Sequence, residues 1–266
     1  MIKLSAVIIT YNEEDNIERC ILSLKSVADE IVVVDSFSTD RTEEICKNLD
    51  VKFIQHKFEG HIQQKNFALT CASSNYILSL DADEALSEKL KQLILEVKSD
   101  WKYDGYIVNR YNNYCGQWIK YSNWYPDYKT RLFDKTKGKW GGINPHDKFI
   151  VDKPSKRKHL HADLLHWVIP TYYAHIDKAN KFSSIAAKES FNRGQKANIL
   201  TIISHSTWRF IKTYFFKRGF LDGYNGFVIS AFTSYTVFLK YIKLRQLNLE
   251  KKNGNNKQDN NPQIAI

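Results

Sequence analysis

The chain has 266 residues, with 39 Lys and Arg against 29 Asp and Glu and 43% hydrophobic residues. That length and apolar content support a packed core as one domain with an appendage, and exclude a wholly disordered chain. The formal charge of +10 suits nucleic acid, an anionic membrane surface or a phosphorylated substrate, and does not choose among them.

The start, MIKLSAVIITYNEE, has a short apolar run and no small-residue cleavage site, so no signal peptide is expected and the location reads as cytoplasmic. Cys20, Cys46, Cys71 and Cys115 are scattered without a Cys-x-x-Cys pair, which fits a reducing compartment and implies neither a disulfide framework nor a zinc knuckle. Four short runs rich in Val, Ile and Leu, at 4–10, 30–35, 51–55 and 76–80, read as strands buried on both faces, as in a parallel sheet. Helical patterns lie at 14–26, 41–48, 63–71 and 87–97. Ser38-Thr39-Asp40 forms a start for the second, and Ser87 is a cap for the fourth. The β-α-β-α order predicts an open α/β sheet with right-handed crossovers.

After Trp101 the pattern is irregular, with strands at 105–110 and 130–133 separated by YNNYCGQWIKYSNWYPD. From Ala174 the chain reads as helical, first polar and amphipathic, then aromatic and basic. Between His205 and Arg245 stand seven Lys and Arg, one acid (Asp222) and twelve aromatics. Such a composition fits an interfacial helix on an anionic membrane, or a helical cap packing its aromatics on the sheet. The longest uncharged stretch, 223–239, falls short of the roughly 20 apolar residues a span needs, so no membrane crossing is expected. The tail after Glu250, KKNGNNKQDNNPQIAI, is polar and reads as disordered.

Ligands of open α/β sheets sit outside the carboxyl ends of the strands. Here those ends run into Thr10-Tyr11-Asn12-Glu13, Asp35-Ser36 and Asp81-Ala82-Asp83-Glu84. Two carboxylates one residue apart past a buried strand can share Mg²⁺ or Mn²⁺, which also takes phosphate oxygens; a helix-capping turn is the plainer reading. No Gly-x-Gly-x-x-Gly follows the first strand and no Walker lysine loop is present, so the usual dinucleotide and P-loop cradles are missing.

The segments IITYNEEDNIERCILSL, EIVVVDSFSTDRTEEI, QKNFAL and YILSLDADE resemble, in order, the nucleotide-binding segments of glycosyltransferase family 2, the inverting transferases of GT-A fold. RLFDKTKGKWGGINPHDKF and FFKRGFLDGYNGF more loosely resemble the bacterial branch that includes lipopolysaccharide inner-core glucosyltransferases. The resemblance implies a GT-A, Rossmann-like, mostly parallel sheet over 1–173, with a nucleotide-sugar half at 1–100 and an acceptor half at 101–173. A helical extension at 174–250 and the disordered tail at 251–266 complete the expected organisation.

On matching positions the resemblance further implies that Thr10, Tyr11, Asn12 and Glu13 line the uridine, that Asp35 contacts base or ribose, and that Lys65 lies near the nucleotide. It also implies that Asp81 faces ribose and metal, and that Asp83 ligates the metal. An acceptor hydroxyl needs a base within hydrogen-bond reach, and the leaving diphosphate needs its charge neutralised, a role for the metal. Asp147 is the candidate base, although the branch carries Glu where this chain has Asp. Arg131 is a candidate phosphate ligand through its forked donors, or else a structural ion pair. His146 is a further ligand for metal or phosphate, and no role is assigned to His159, His161, His166, His175 or His205.

The expected activity is inverting transfer of a hexose, glucose by this resemblance, from a UDP-sugar to a hydroxyl of a glycan or glycolipid, in lipopolysaccharide core or another cell-envelope glycan. Two alternatives stay open: transfer to a polyprenyl phosphate, which makes Asp147 dispensable, and a catalytically silent glycan- or nucleotide-binding module. Expected partners are the nucleotide diphosphate sugar, a glycan or lipid-linked acceptor and an anionic membrane surface on the inner face of the plasma membrane, with no nucleic acid.

Overall fold

Each apolar run of the first hundred residues becomes a strand buried from both sides. The structure is a computed structural model describing residues 1–143, 146–152 and 154–259. In chain order it comprises β1 (Leu4–Thr10), α1 (Ile17–Leu24), β2 (Glu30–Asp35), α2 (Thr42–Asn48), β3 (Lys52–Gln55), α3 (His61–Cys71), β4 (Tyr76–Asp81), β5 (Glu84–Leu86) and α4 (Glu88–Ser99). There follow β6 (Gly105–Tyr114), β7 (Gln117–Trp118), β8 (Asp127–Asp134), β9 (Gly138–Ile143), β10 (His146–Val151), β11 (Arg157–Ile169), α5 (Tyr172–Asn192), α6 (Ile199–Ile211) and α7 (Gly223–Asp259).

Two compact units result, one of residues 1–113 and 125–168, the other of 114–124 with the chain from 169 on. In the first, the sheet order runs β3-β2-β1-β4-β8-β6-β11-β5. Strands β1 to β4 pair in parallel, and β8 adds antiparallel to β4. This α/β sheet, parallel across β1 to β4 and flanked by helices, is the expected GT-A class.

Because side chains alternate along a strand, β4 feeds two cores. Leu78 and Leu80 join Ile8 of β1, Ile17 and Ile21 of α1, and Leu90 and Ile94 of α4. Ile77 turns the other way, to Val7, Val34, Phe133, Ala68 and Leu69 of α3, and Trp140 and Phe149 of the β9–β10 hairpin. Ser87 caps α4 as expected, accepting from Leu90 N at 3.3 Å. Asp40 Oδ1 accepts from Thr42 N at 3.0 Å at the start of α2.

Three expectations change. Residues 114–124, expected in the acceptor half, belong to the second unit, and that unit takes over at Ile169 rather than Ala174. Helix α7 continues past Glu250 to Asp259, where the polar composition reads as disorder; 260–266 lie outside the described residues. The stretch Gly219–Lys252, 34 helical residues containing an 18-residue window of mean hydropathy 1.2, is long and apolar enough to cross a membrane by length and composition. Reading only the uncharged run missed this, because Lys240, Lys243 and Arg245 dilute the segment without ending the helix.

In the second unit, Thr171 caps α5 by accepting from Ala174 N at 3.1 Å, and Asn198 caps α6 by accepting from Thr201 N at 2.8 Å. One turn into α5, His175 lies buried. Its Nδ1 is 2.8 Å from Tyr114 Oη, and its ring stacks on Phe232. Burial, aided by Lys178, pulls the imidazole from 6.5 to about 4.

Between those two values the unfolded chain binds the proton that the folded ring refuses, so this contribution is whole above about pH 6.5 and falls as the pH drops toward 4. Acidification from pH 7 to 4.5 should therefore cost on the order of 2 kcal/mol through this ring. Urea unfolding across that range should show a correspondingly shallower pH dependence in His175→Phe.

Candidate active site

Strand register aligns the predicted residues at one edge of the sheet. Thr10 stands opposite Asp35 in the β1–β2 pair, and Ile9 opposite Asp81 in the β1–β4 pair. Alternation then divides them. Thr10 and Asp35 follow Ile8 and Val33 on the face toward α1, whereas Asp81 follows Ile77 and Ser79 on the face toward α3.

On the first face, two loops are laced together. Asn12, at φ 52°, adopts the left-handed region that Asn tolerates better than most residues. Its backbone N donates to Ser38 Oγ at 2.8 Å, and its side-chain oxygen accepts from Thr39 N at 2.8 Å. Glu13 N donates to Thr42 Oγ1 at 2.9 Å, and Glu14 N to Asp40 Oδ2 at 3.0 Å. Asp35 is 0% exposed, with Ser38 N and Ser38 Oγ donating to its two carboxylate oxygens. From this conformation Asp35 braces the loop, and a base or ribose contact requires Ser38 to exchange. Tyr11 remains exposed over the strand ends.

On the second face an ion network forms. Lys65 lies on the buried side of α3 with Gln64, Ala68 and Leu69, and its side chain is 4% exposed. It bridges Asp81 Oδ1 at 2.9 Å and Asp147 Oδ2 at 2.8 Å, over the Trp140 ring at 4.6 Å. Asp147 points inward because it alternates in phase with Phe149, which packs in the core. Arg131 shares the face of Phe133 on β8, and its Nη2 donates to Asp81 Oδ2 at 2.7 Å and to Glu84 Oε1 at 2.6 Å. Burial raises the Asp81 pKa, but Arg131 and Lys65 outweigh it and hold the carboxyl well below the usual carboxylate range. Burial would likewise lower Arg131; Asp81 and Glu84 outweigh it and hold the guanidinium above its ordinary value. The hairpin carrying Asp147 is tied to α3 by Asn66, whose amide donates to Trp140 O and accepts from Trp140 N, both at 3.0 Å.

Past the β4 end, Asp83 Oδ2 lies 3.2 Å from His166 Nε2, and His166 Nδ1 lies 2.6 Å from Asn112 Oδ1. Among the described residues no three His, Cys, Asp or Glu side chains group as metal ligands. The donor set nonetheless fits Mg²⁺ or Mn²⁺, which are commonly held by one or two carboxylates together with substrate phosphates. Asp83 and Asp81 are both partly exposed, 24% and 26%; Asp83 has His166 beside it, while Asp81 is already engaged by two cations. The His146 side chain lies outside the described residues.

The structure thus brings Lys65, Asp81, Arg131 and Asp147 together, sets Asp83 beside them across a turn, and uses Asn12, Glu13 and Asp35 in loop bracing. Sequence reasoning missed Glu84, Arg110 and His166. Arg110 pairs with Asp127 at 2.7 Å and with Glu84 at 3.5 Å. A signal for His166 existed: Leu160, Ala162 and Leu164 share a buried face of β11, and His166 is the next residue of that alternation. Among the described residues, four buried side-chain polar atoms lack a hydrogen-bond partner, and three of them are Thr10 Oγ1, Arg131 Nε and Trp140 Nε1. Unsatisfied buried groups are rare, and each of these three is a candidate to meet a ligand.

Residues 5–159 match the family described as Glycosyl transferase family 2. A protein of Rickettsia bellii described as an uncharacterized glycosyltransferase is 33% identical over 279 residues, covering 99% of this chain and 93% of that protein. The lipopolysaccharide core biosynthesis glycosyltransferase LpsC of Rhizobium meliloti is 29% identical over 250 residues, covering 91% of this chain and 92% of that protein. The solved structure of S. aureus TarS 1–349 aligns over 95% of this chain and 92% of that chain, with 15% identity and a TM-score of 0.46. This chain belongs to glycosyltransferase family 2 and is a transferase enzyme.

Glu84 is 0% exposed in its side chain, so removing Arg131 leaves a buried charge with only the longer Arg110 contact, at 3.5 Å, to offset it. Arg131→Met should destabilise the fold by about 3–5 kcal/mol in urea unfolding, and Arg131→Met/Glu84→Gln should recover part of that loss. An undiminished midpoint in the single variant would contradict the buried pairing.

Proposed function

We propose that this enzyme moves a hexose, glucose by resemblance, from a UDP-sugar to a hydroxyl of a glycan or lipid-linked acceptor, with inversion, in lipopolysaccharide core or related envelope glycan synthesis. One observation carries the reading: two buried cations, Lys65 and Arg131, converge on Asp81, one turn before Asp83, whose carboxylate faces His166. That arrangement offers two preoriented cationic side chains, balanced by Asp81, Asp147 and Glu84, and a carboxylate–imidazole pair for a divalent cation. The whole-length similarity to LpsC supports the envelope-glycan assignment.

In this reading Tyr11 and the Asn12–Thr39 lacing shape the nucleoside side of the crevice, with Thr10 Oγ1 still to be satisfied. Asp83 with His166 would hold Mg²⁺ or Mn²⁺, which when bound supplies Lewis-acid neutralisation of the leaving diphosphate. His166 is oriented by Asn112, which fixes one ring nitrogen and leaves the other for Asp83 or the ion. Lys65 and Arg131 keep Asp81 ionised and contribute preorganised charge that needs no rearrangement as the bond breaks. Asp147 takes the acceptor proton, and Lys65 holds that carboxylate in place. The enzyme works in the cytoplasm, peripheral to the inner face of the plasma membrane, where lipid-linked acceptors are exposed.

Asp147→Asn should lower turnover by roughly 10²–10⁴-fold, the range for positioned acid–base catalysis, with UDP affinity barely changed in calorimetric titration. An equal loss of UDP binding would move Asp147 to the donor site, and full turnover would favour a phosphate acceptor. Asp83→Ala should abolish Mn²⁺-dependent hydrolysis and transfer of UDP-sugar while leaving the thermal midpoint without ligand close to wild type. Near-wild-type turnover in that variant would remove Asp83 from the metal site.

A further inference from the structure

The segment FFKRGFLDGYNGF and the end of α6 before it have no part in the chemistry above, yet they expose a run of large apolar side chains. Trp208, Phe215, Phe216, Phe220, Leu221 and Tyr224 are between 46% and 71% exposed. Rings link much of this surface, Trp208 to Phe216 at 5.6 Å and Tyr214 to Phe215 and Phe220 at 5.1 and 6.2 Å. Contiguous apolar patches of this kind mark interaction sites.

The backbone explains why the aromatics face outward. The π-helical turn Lys212–Phe216 leads into a reversal at Arg218, φ 54°, and Gly223, φ 63°. A Cβ on Gly226 would lie 1.8 Å from Gly219 O, so α7 begins backbone against backbone and leaves no interior room for the large side chains. Asp222 is turned inward, accepting from Lys120 N at 3.1 Å and Tyr121 N at 2.9 Å. The one acid between 205 and 245 is thereby removed from the surface, whereas Arg209, Lys212, Lys217 and Arg218 are all exposed.

We propose that this hairpin is a membrane-docking wedge, its aromatic tip seated in the headgroup layer of an anionic bilayer and its four cations paired with lipid phosphates. Deepening the peripheral location proposed above, it names the element that makes the attachment. Aromatics at the water–lipid boundary and unopposed cations around them are what such a surface selects. A second copy of this chain would bring the same positive charge to the contact, so charge complementarity favours lipid. Nor does α7 need to enter the bilayer, because Lys243 Nζ donates to Asn180 O at 2.9 Å and Ser183 Oγ at 2.8 Å, tying it to α5.

The test is flotation of the full chain with phosphatidylcholine vesicles, with and without phosphatidylglycerol. Wild type should float only with the anionic vesicles and be released near 1 M salt, where the screening length falls to about 3 Å. R209Q/K212Q/K217Q/R218Q should lower partitioning by roughly 600-fold, each cation contributing roughly fivefold. F215S/F216S/F220S should also release the protein, with its melting curve and hydrolysis of UDP-glucose retained as evidence of folding.

Absence of flotation, equal flotation with pure phosphatidylcholine, or attachment surviving high salt and carbonate would each overturn the wedge, the last because it means an inserted α7. So would a wild-type dimer that F215S/F216S/F220S makes monomeric without any vesicle binding. A chain that floats as described but moves no sugar would uphold the wedge and refute the transferase assignment above, so the two failures are distinguishable.

Discussion

The candidate site depends on one ammonium group. Lys65 is almost fully withdrawn from water, and a lone buried cation at that depth would cost several kcal/mol. Asp81, Asp147 and the Trp140 ring repay that cost together, and in doing so they fix three elements against one another: helix α3, the end of β4 and the β9–β10 hairpin. Asp147 comes from 82 positions away in the chain, so its place in the site is set by this charge contact and by the hairpin packing behind it, not by local sequence.

Buried ion networks are weak contributors to stability, since well-packed apolar groups of the same volume often do as well. Their position here is therefore informative. Arg131, Glu84, Arg110 and Asp127 extend the network along the antiparallel half of the sheet, beyond the strand ends where an open α/β sheet receives ligands. Along β4 the buried face changes from Ile77 to Ser79 to Asp81. The core grades into a charged lining over two steps of the pleat, and the unpartnered atoms of Arg131 and Trp140 lie on that face.

The parallel half was legible because its strands are continuous apolar runs. Leu4–Thr10 and Glu30–Asp35 coincide with the expected spans, and Ser87 caps as its residue type implies. Past Trp101 the signal fails for identifiable reasons. In β11, His159, His161 and Asp163 alternate with Leu160, Ala162 and Leu164, so a 13-residue strand lacks the continuous apolar run that marked the others. The β9–β10 hairpin is glycine-rich, and its stability comes from Trp140 and Phe149 packing on distant residues. Lys65 is legible only through the family resemblance, since nothing within α3 distinguishes a buried lysine from a solvated one. Glu84 was hidden by its neighbours: in Asp-Ala-Asp-Glu the fully buried carboxylate is the third, which only the tertiary position of Arg131 decides.

The Asn66 amide has a consequence for specificity of assembly. By donating to Trp140 O and accepting from Trp140 N, it imitates the edge of a neighbouring β-strand. The two backbone groups of Trp140 that could recruit a strand from another molecule are thereby occupied by a side chain of the same molecule. Unpaired strand edges are a common route to intermolecular β-pairing, so one carboxamide at the side of the crevice both seats the hairpin and blocks that route at its most aromatic residue.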